Sequence, residues 1–173
     1  MRLTCVVDNC VQRGSSLWGE HGLCFLIETS NGNVLWDTGQ SVPVLEHNLR
    51  DLDLDEVSVD AVALSHAHYD HTGALRWFLE HHPGVPVYAN AEIFAERFSR
   101  RNGVSRAIGL AKDRSKLEAL ATFHASDEPQ DVVPGIRTTG LIRCRPFPQG
   151  SSKNHRVRRG KELVTDPYAD DMS

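Results

Sequence analysis

The six residues His66, Ala67, His68, Tyr69, Asp70 and His71 hold three histidines and an aspartate, one serine after the apolar run Ala61-Val62-Ala63-Leu64. At the end of a strand, residues two apart point to the same side, so His66 and His68 can turn both imidazoles toward one point. That suits a single metal ion. Asp70 and His71 follow where the chain turns into a helix, so their direction reverses and a second ion comes within reach. Mixed imidazole and carboxylate donors suit Zn²⁺, with Fe or Mn as alternatives. Two such ions about 3.5–4 Å apart can share a hydroxide, lower its pKa toward neutrality and clamp the atoms on either side of a displacement. That is hydrolytic chemistry. The contrary reading, polar residues capping a helix beside a strand, leaves four clustered titratable groups desolvating one another without return.

The elements that must position this loop follow from local patterns. Residues 3–8, 22–28 and 34–37 read as strands, the last two joined across Asn31-Gly32, a strong hairpin signal. Ser41, with Pro43 two residues on, predicts a capped helix that ends before the acidic stretch 51–56. Residues 59–65 form a short, continuously apolar strand of the buried kind. After the histidine cluster, Leu75, Phe78 and Leu79 share one helical face, and Pro83-Gly84 stops that helix. Residues 85–89 return to strand. Ile93, Phe94 and Phe98 predict a helix over 91–101, and residues 116–121 another. Residues 126–140 read as a pair of short strands or turns rich in Pro and Gly. A hairpin followed by β/α alternation indicates an α/β layered domain.

Composition narrows the function classes. The 173 residues are 40% hydrophobic and 24% charged, as expected for one globular domain. Nineteen Lys+Arg against 23 Asp+Glu give a formal charge of −4, so nothing general attracts nucleic acid or an anionic membrane. No apolar run approaches the ~20 residues of a membrane span, and the first residues lack the pattern of a secretory signal, so the cytoplasm is the expected compartment. Cys5, Cys10, Cys24 and Cys144 lack CxxC spacing and read as buried reduced thiols. Lys153, Arg156, Arg158, Arg159 and Lys161 form a basic cluster after Gly150, Ser151 and Ser152, read as a solvated flexible loop.

The stretch His66 to His71 resembles the first metal motif of the metallo-β-lactamase superfamily. Residues 20–41, with Glu20-His21-Gly22 and Asp37-Thr38-Gly39, sharpen the match. They are similar to the subgroup of methanopterin-biosynthesis dihydropterin ribofuranosylaminobenzene 5′-phosphate synthases and related metallo-hydrolases. Residues 134–140 and 166–171 are similar to later segments of that subgroup, so the resemblance covers nearly the whole chain. It implies an αββα sandwich with metals at the edge of the two sheets, of which this chain holds the N-terminal half (1–145) and a basic connection with a truncated tail (146–173). By motif matching, His66 and His68 would hold the first ion, and Asp70 and His71 the second. Asp70 and His71 would also be catalytic, with Asp70 positioning the bridging hydroxide. Asp37 matches a buried aspartate that supports the metal-bearing loop. His21 would line the substrate side.

The resemblance further implies a third histidine for the first ion, a bridging acid and a last histidine for the second, on segments beyond Ser173. The remaining histidines are His47, His81, His82, His124 and His155. His81 and His82 read as solvated at a helix end, and His155 lies in the basic tract. The leading expectation is a metal-dependent hydrolase using a metal-activated hydroxide on a small phosphate- or ester-containing molecule. One alternative is an enzyme like the 5′-phosphate synthases. Another is a non-catalytic half-domain with weak metal binding and an interaction surface, completed by a second copy or a partner. Iron-based redox chemistry on the same loop is a third.

Overall fold

The computed structural model describes residues 1–144, 152–169 and 171–172. Among them the elements are β1 (Arg2–Val7), β2 (Cys24–Thr29), β3 (Gly32–Trp36), α1 (Val42–Asp51), β4 (Ala61–Ala63), α2 (Tyr69–Thr72), α3 (Leu75–His81), β5 (Val87–Ala89), β6 (Arg97–Arg101), β7 (Val104–Ala107), α4 (Arg114–Glu118), β8 (Phe123–Ala125), β9 (Asp131–Val133), β10 (Ile136–Arg137), β11 (His155–Arg159) and β12 (Glu162–Thr165). They build a six-stranded sheet in the order β1-β2-β3-β4-β5-β8, a four-stranded sheet β12-β11-β6-β7 and the small β9-β10 hairpin. The fold is mixed α/β and layered, as the alternation of patterns indicated. No helix among the described residues is long and apolar enough to cross a membrane.

In the large sheet β1, β2 and β3 pair antiparallel, whereas β3, β4, β5 and β8 run parallel. Strand periodicity sorts the central residues onto two faces. Cys24, Leu26, Leu35, Val62 and Leu64 meet Leu45 and Leu49 of α1 and Leu75, Phe78 and Leu79 of α3 in the main core. Val34, Ala61 and Ala63 pack on the other face against Val132 of β9. Both faces being covered, the central strands read as continuous apolar runs. Asn48 is the polar exception in α1: its side chain donates to the carbonyls of Val6 and Trp18 and accepts from Trp18 N–H, tying β1 and the loop before His21 to the helix.

Several expectations change in the structure. The helix foreseen over 91–101 is instead a turn followed by β6, because Arg97 to Arg101 find long-range partners. Val157 of β11 lies opposite Arg97 and Ala107 of β7 opposite Phe98. Asn102 and Gly103, both at positive φ, close the β6-β7 hairpin. The basic tract foreseen as a flexible loop contains β11 and β12, with Arg158 and Arg159 paired to Glu96 and Glu92; its beginning, including Gly150 and Ser151, lies outside the described residues, as does Asp170. All four cysteines are free, but Cys24 is the buried one, while Cys5, Cys10 and Cys144 are exposed.

Candidate metal centre

The site lies where the parallel strands β3 and β4 end. Asp37, the residue after β3, is fully buried and adopts φ +57°, with its N–H donating to Ala63 O at 2.8 Å. A non-glycine residue in the left-handed region is uncommon, and here the fixed backbone turns the carboxylate beneath the motif loop. Its Oδ1 accepts from Ser65 N–H at 2.7 Å, and its Oδ2 accepts from Ser65 Oγ at 2.6 Å and from His71 Nδ1 at 2.7 Å. The last bond places the proton of His71 on Nδ1 and turns Nε2 outward as a lone-pair donor. Ser65 Oγ, having donated to Asp37, lies 3.0 Å from His66 Nδ1 and can accept from it.

Backbone contacts fix the rest of the loop. Thr38 N–H donates to His71 O at 2.7 Å, and Gly73 N–H to Gly39 O at 2.9 Å. Two glycines make this approach sterically feasible. A Cβ on Gly73 would fall 2.0 Å from Gln40 O, and one on Gly22 would fall 2.2 Å from Asp70 O. Glu20 ties the neighbouring segment to the same frame: its carboxylate accepts from the N–H groups of Gln40 and Ser41 and from Ser41 Oγ. Ser41 thus opens α1 without capping it through its own side chain.

The histidines gather as a result. The His66 ring centre lies 4.7 Å from that of His68 and 4.1 Å from that of His71. Asp70 Oδ2 is 3.6 Å from His71 Nε2 and 3.3 Å from His21 Nε2. From the second sheet, His155 at the start of β11 brings its ring to 5.0 Å from His68. Tyr168 Oη lies 2.9 Å from His155 Nδ1 and accepts from Ser152 N–H, which sets the ring's orientation. Met172 N–H donates to Ser65 O, closing the last described segment over the loop. An open cleft of about 450 Å³ is lined by His66, His68, Asp70, His71, His155 and Asp171. A second lobe of about 410 Å³ shares His21, His68, Asp70 and His155.

Burial and the neighbouring histidines push the His66 imidazole down to about 2, and burial with the His155 field pushes His68 down to about 4. Both rings are therefore neutral in ordinary buffers, the state that a metal requires of an imidazole. His71 goes the other way: burial lowers it, but the hydrogen bond and charge of Asp37, with Asp70 and Asp171, outweigh that and raise it. Burial raises the Asp37 carboxyl, against the opposing bonds from His71 and Ser65.

The donor set fits a borderline divalent ion. His68 Nε2 is buried and has no hydrogen-bond partner among the described residues. An uncompensated buried nitrogen of this kind costs about 1–3 kcal/mol, which an ion would relieve. The set is aimed rather than closed: among the described residues no group of three or more His, Cys, Asp or Glu side chains already forms a cage for an ion.

Sequence reasoning brought His66, His68, Asp70, His71, Asp37 and His21 to one place, and the structure assembles all six there. His124 stacks on Tyr88 and His82 on Phe78, away from the loop. His155 and Ser65 are the residues that sequence reasoning undervalued. A serine directly before the first histidine, at the end of a buried strand, was the available signal for Ser65; none marked His155, which depends on the pairing of β11 with β6.

Comparison with known proteins bears on the family and the fold. The family model described as the metallo-beta-lactamase superfamily matches residues 17–156. The chain is 35% identical over 135 residues to the 7,8-dihydropterin-6-methyl-4-(beta-D-ribofuranosyl)-aminobenzene-5'-phosphate synthase of Methanocaldococcus jannaschii, covering 74% of this chain and 46% of that protein. It is 28% identical over 169 residues to an uncharacterized protein of the same organism, covering 96% of this chain and 62% of the other. Among solved structures, a metal-dependent hydrolase of the beta-lactamase superfamily superposes with a TM-score of 0.76 at 25% identity, over 98% of this chain and 59% of that one. The chain therefore spans about half to three fifths of the length of these relatives.

Proposed function

The chain belongs to the metallo-beta-lactamase superfamily, and from that premise we propose that it is a metal-dependent hydrolase, acting on a small phosphate- or ester-containing molecule at the His66–His71 loop. Its fold is that of the superfamily's metal-dependent hydrolases. One observation supports the reading above the others: Asp37 holds His71 Nδ1 at 2.7 Å, so that a buried carboxylate presets the outward nitrogen beside Asp70. Such support from behind a ligand is what a metal site needs and a helix cap does not.

His66 and His68 would hold one divalent ion, and Asp70 and His71 a second, with Zn²⁺ favoured by the donor chemistry. Ions bound there supply Lewis acidity and lower the pKa of a water at neutral pH. The protein's own groups do the remainder. His66 and His68 stay neutral and available, Asp37 and Ser65 orient the rings, and Asp70 accepts a proton or hydrogen bond at the cleft floor. His21, exposed and 3.3 Å from Asp70, stands where a substrate enters. His155 faces His68 from the opposite wall.

The 35% identity to the 5′-phosphate synthase supports a phosphorylated, pterin-like substrate as a second reading. The open donor set supports a third, in which the remaining donors come from a second copy or a separate chain. One experiment addresses all three: metal content per chain by elemental analysis of protein purified without added metal, with His68→Ala and Asp70→Ala variants, mass in solution, and hydrolysis of bis(4-nitrophenyl) phosphate and 4-nitrophenyl acetate. Close to two ions per chain, lost in the variants and accompanied by chelator-sensitive turnover, is the expected result. Well below one ion per chain, unchanged in the variants, overturns the proposal.

A further inference from the structure

One wall of the cleft beside Asp70 is the β6-β7 hairpin. Its strands pair in the register Ser99↔Arg106 and Arg101↔Val104. Alternate residues of a strand share a face, so Ser99, Arg101, Val104 and Arg106 form one surface, and all four line the lobe that also contains His68 and Asp70. The Arg106 guanidinium lies 5.4 Å above the Tyr69 ring, which holds it against the metal loop itself.

Of the other arginines of this sheet, Arg97 on β6 and Arg158 and Arg159 on β11 are tied to Asp166, Glu96 and Glu92, while Arg100 and Arg156, without a carboxylate partner among the described residues, do not line the lobe. Among the described residues neither Arg101 nor Arg106 has a carboxylate partner. Two guanidinium groups and a hydroxyl on one strand face, without an internal anion, match the oxygens of a phosphate or carboxylate, which arginine binds in a forked geometry.

We propose that Ser99, Arg101 and Arg106 form an anion subsite, which holds a phosphate or carboxylate of the substrate while the bond to be cleaved lies at the His66–His71 loop. The assignment rests on the hydrolytic reading of that loop and adds the substrate class: a molecule with an oxyanion at one end and a hydrolysable group at the other. The arginines are specificity-determining residues that hold the anionic end of the substrate and take no part in breaking the bond.

The test is a titration of the full zinc-supplemented chain with inorganic phosphate and, separately, with acetate, at constant ionic strength set with chloride, followed by amide NMR. Saturable shifts of the residue 99–106 amides are expected, with apparent affinity weakened roughly tenfold in R101Q/R106Q. R100Q, on the opposite hairpin face, is expected to bind as the parent chain does. The anion that saturates at lower concentration identifies the group recognised. The single variants R101Q and R106Q, each expected to lose part of the affinity, serve if the double variant does not fold. Unshifted hairpin amides with both anions, or equal shifts in R101Q/R106Q, overturn the subsite. Binding and turnover are separate readouts. Absent hydrolysis with intact anion binding overturns the hydrolytic reading alone, and hydrolysis without hairpin shifts overturns the subsite alone.

Discussion

At the scale of single residues, Asp37 decides more than any ligand beside it. Its buried carboxylate takes three hydrogen bonds, two from Ser65 and one from His71, and through them orients two histidines. Asp37→Asn keeps the shape but replaces one acceptor oxygen by a donor, so an amide N–H facing His71 Nδ1 shifts the ring proton to Nε2, the nitrogen that faces the cleft and would bind the ion. A 10- to 100-fold loss of zinc affinity is expected, of the order seen when such supporting groups are removed, measurable by competition with a chromogenic chelator. Acid sensitivity is a second consequence. His66 and His68 lie below their ordinary value in the folded chain, at about 2 and about 4. The unfolded chain therefore takes up protons that the folded chain refuses. The stability these rings contribute is present above about pH 6.5 and is lost as pH falls toward their folded values, at roughly 1.4 kcal/mol per pH unit for each ring. His71 is raised and has the opposite sign: its contribution is present below its ordinary value and fades as pH rises through the folded one. Burial lowers His82 and His155 as well, and four lowered rings against one raised leave a net loss on acidification of the metal-free chain, read as a falling urea midpoint between about pH 7 and pH 5, and flattened in His68→Gln. The motif itself was legible because four donors in six positions have little other use. His155 was not, since its place depends on a strand partner nearly sixty residues away.

At the scale of elements, the loop is a product of close backbone approach. Gly73 N–H reaches Gly39 O, and any side chain at residue 73 meets Gln40 O. Gly73→Ala must therefore push the loop 66–73 off the loop 37–40. Destabilisation of about 1–3 kcal/mol is expected from overpacking of this kind, seen as a lower Tm, together with weaker zinc binding, because Asp37 and His71 lie on the two segments being separated. Legibility also divides by element. The strands around the core and helices α1 and α3 were readable from apolar periodicity, which matches their buried faces. Residues 91–101 were misread because Ile93, Phe94 and Phe98 repeat at helical spacing while Arg97 and Phe98 are claimed by cross-strand partners. Tertiary pairing of that kind overrides local preference. The correcting signal was present in Asn102-Gly103, a hairpin turn as strong as the Asn31-Gly32 that was recognised.

At the scale of the whole molecule, the candidate site needs both sheets, and within the four-stranded one a buried ion pair ties β6 to the segment that follows β12. The large sheet supplies Asp37 and the His66–His71 loop; the segment around β11 and β12 supplies His155, Tyr168 and the residues that cover Ser65. Arg97 on β6 and Asp166 after β12 are both without side-chain exposure, with Nε 3.2 Å from Oδ2, and Arg97 also donates to Glu92 O. Asp166 Oδ1 in turn accepts from Tyr168 N–H, and Tyr168 fixes His155. A buried pair of this type adds little net stability over apolar packing, since both charges must be desolvated, but removal of one partner strands the other. Arg97→Ala is thus expected to cost roughly 3–5 kcal/mol, whereas Arg97→Met combined with Asp166→Leu stays close to the parent in urea unfolding. If the pair acts as the tie, hydrogen exchange in Arg97→Ala accelerates together in β6, β11 and residues 166–172, while β2 to β5 keep their protection. Uniform acceleration across both sheets would instead mean that the pair supports one indivisible core. The apolar double variant then separates stability from site geometry: it removes the Tyr168 N–H acceptor without leaving a buried charge, so a changed His155 environment by NMR at unchanged stability would show that the tie sets the wall of the cleft.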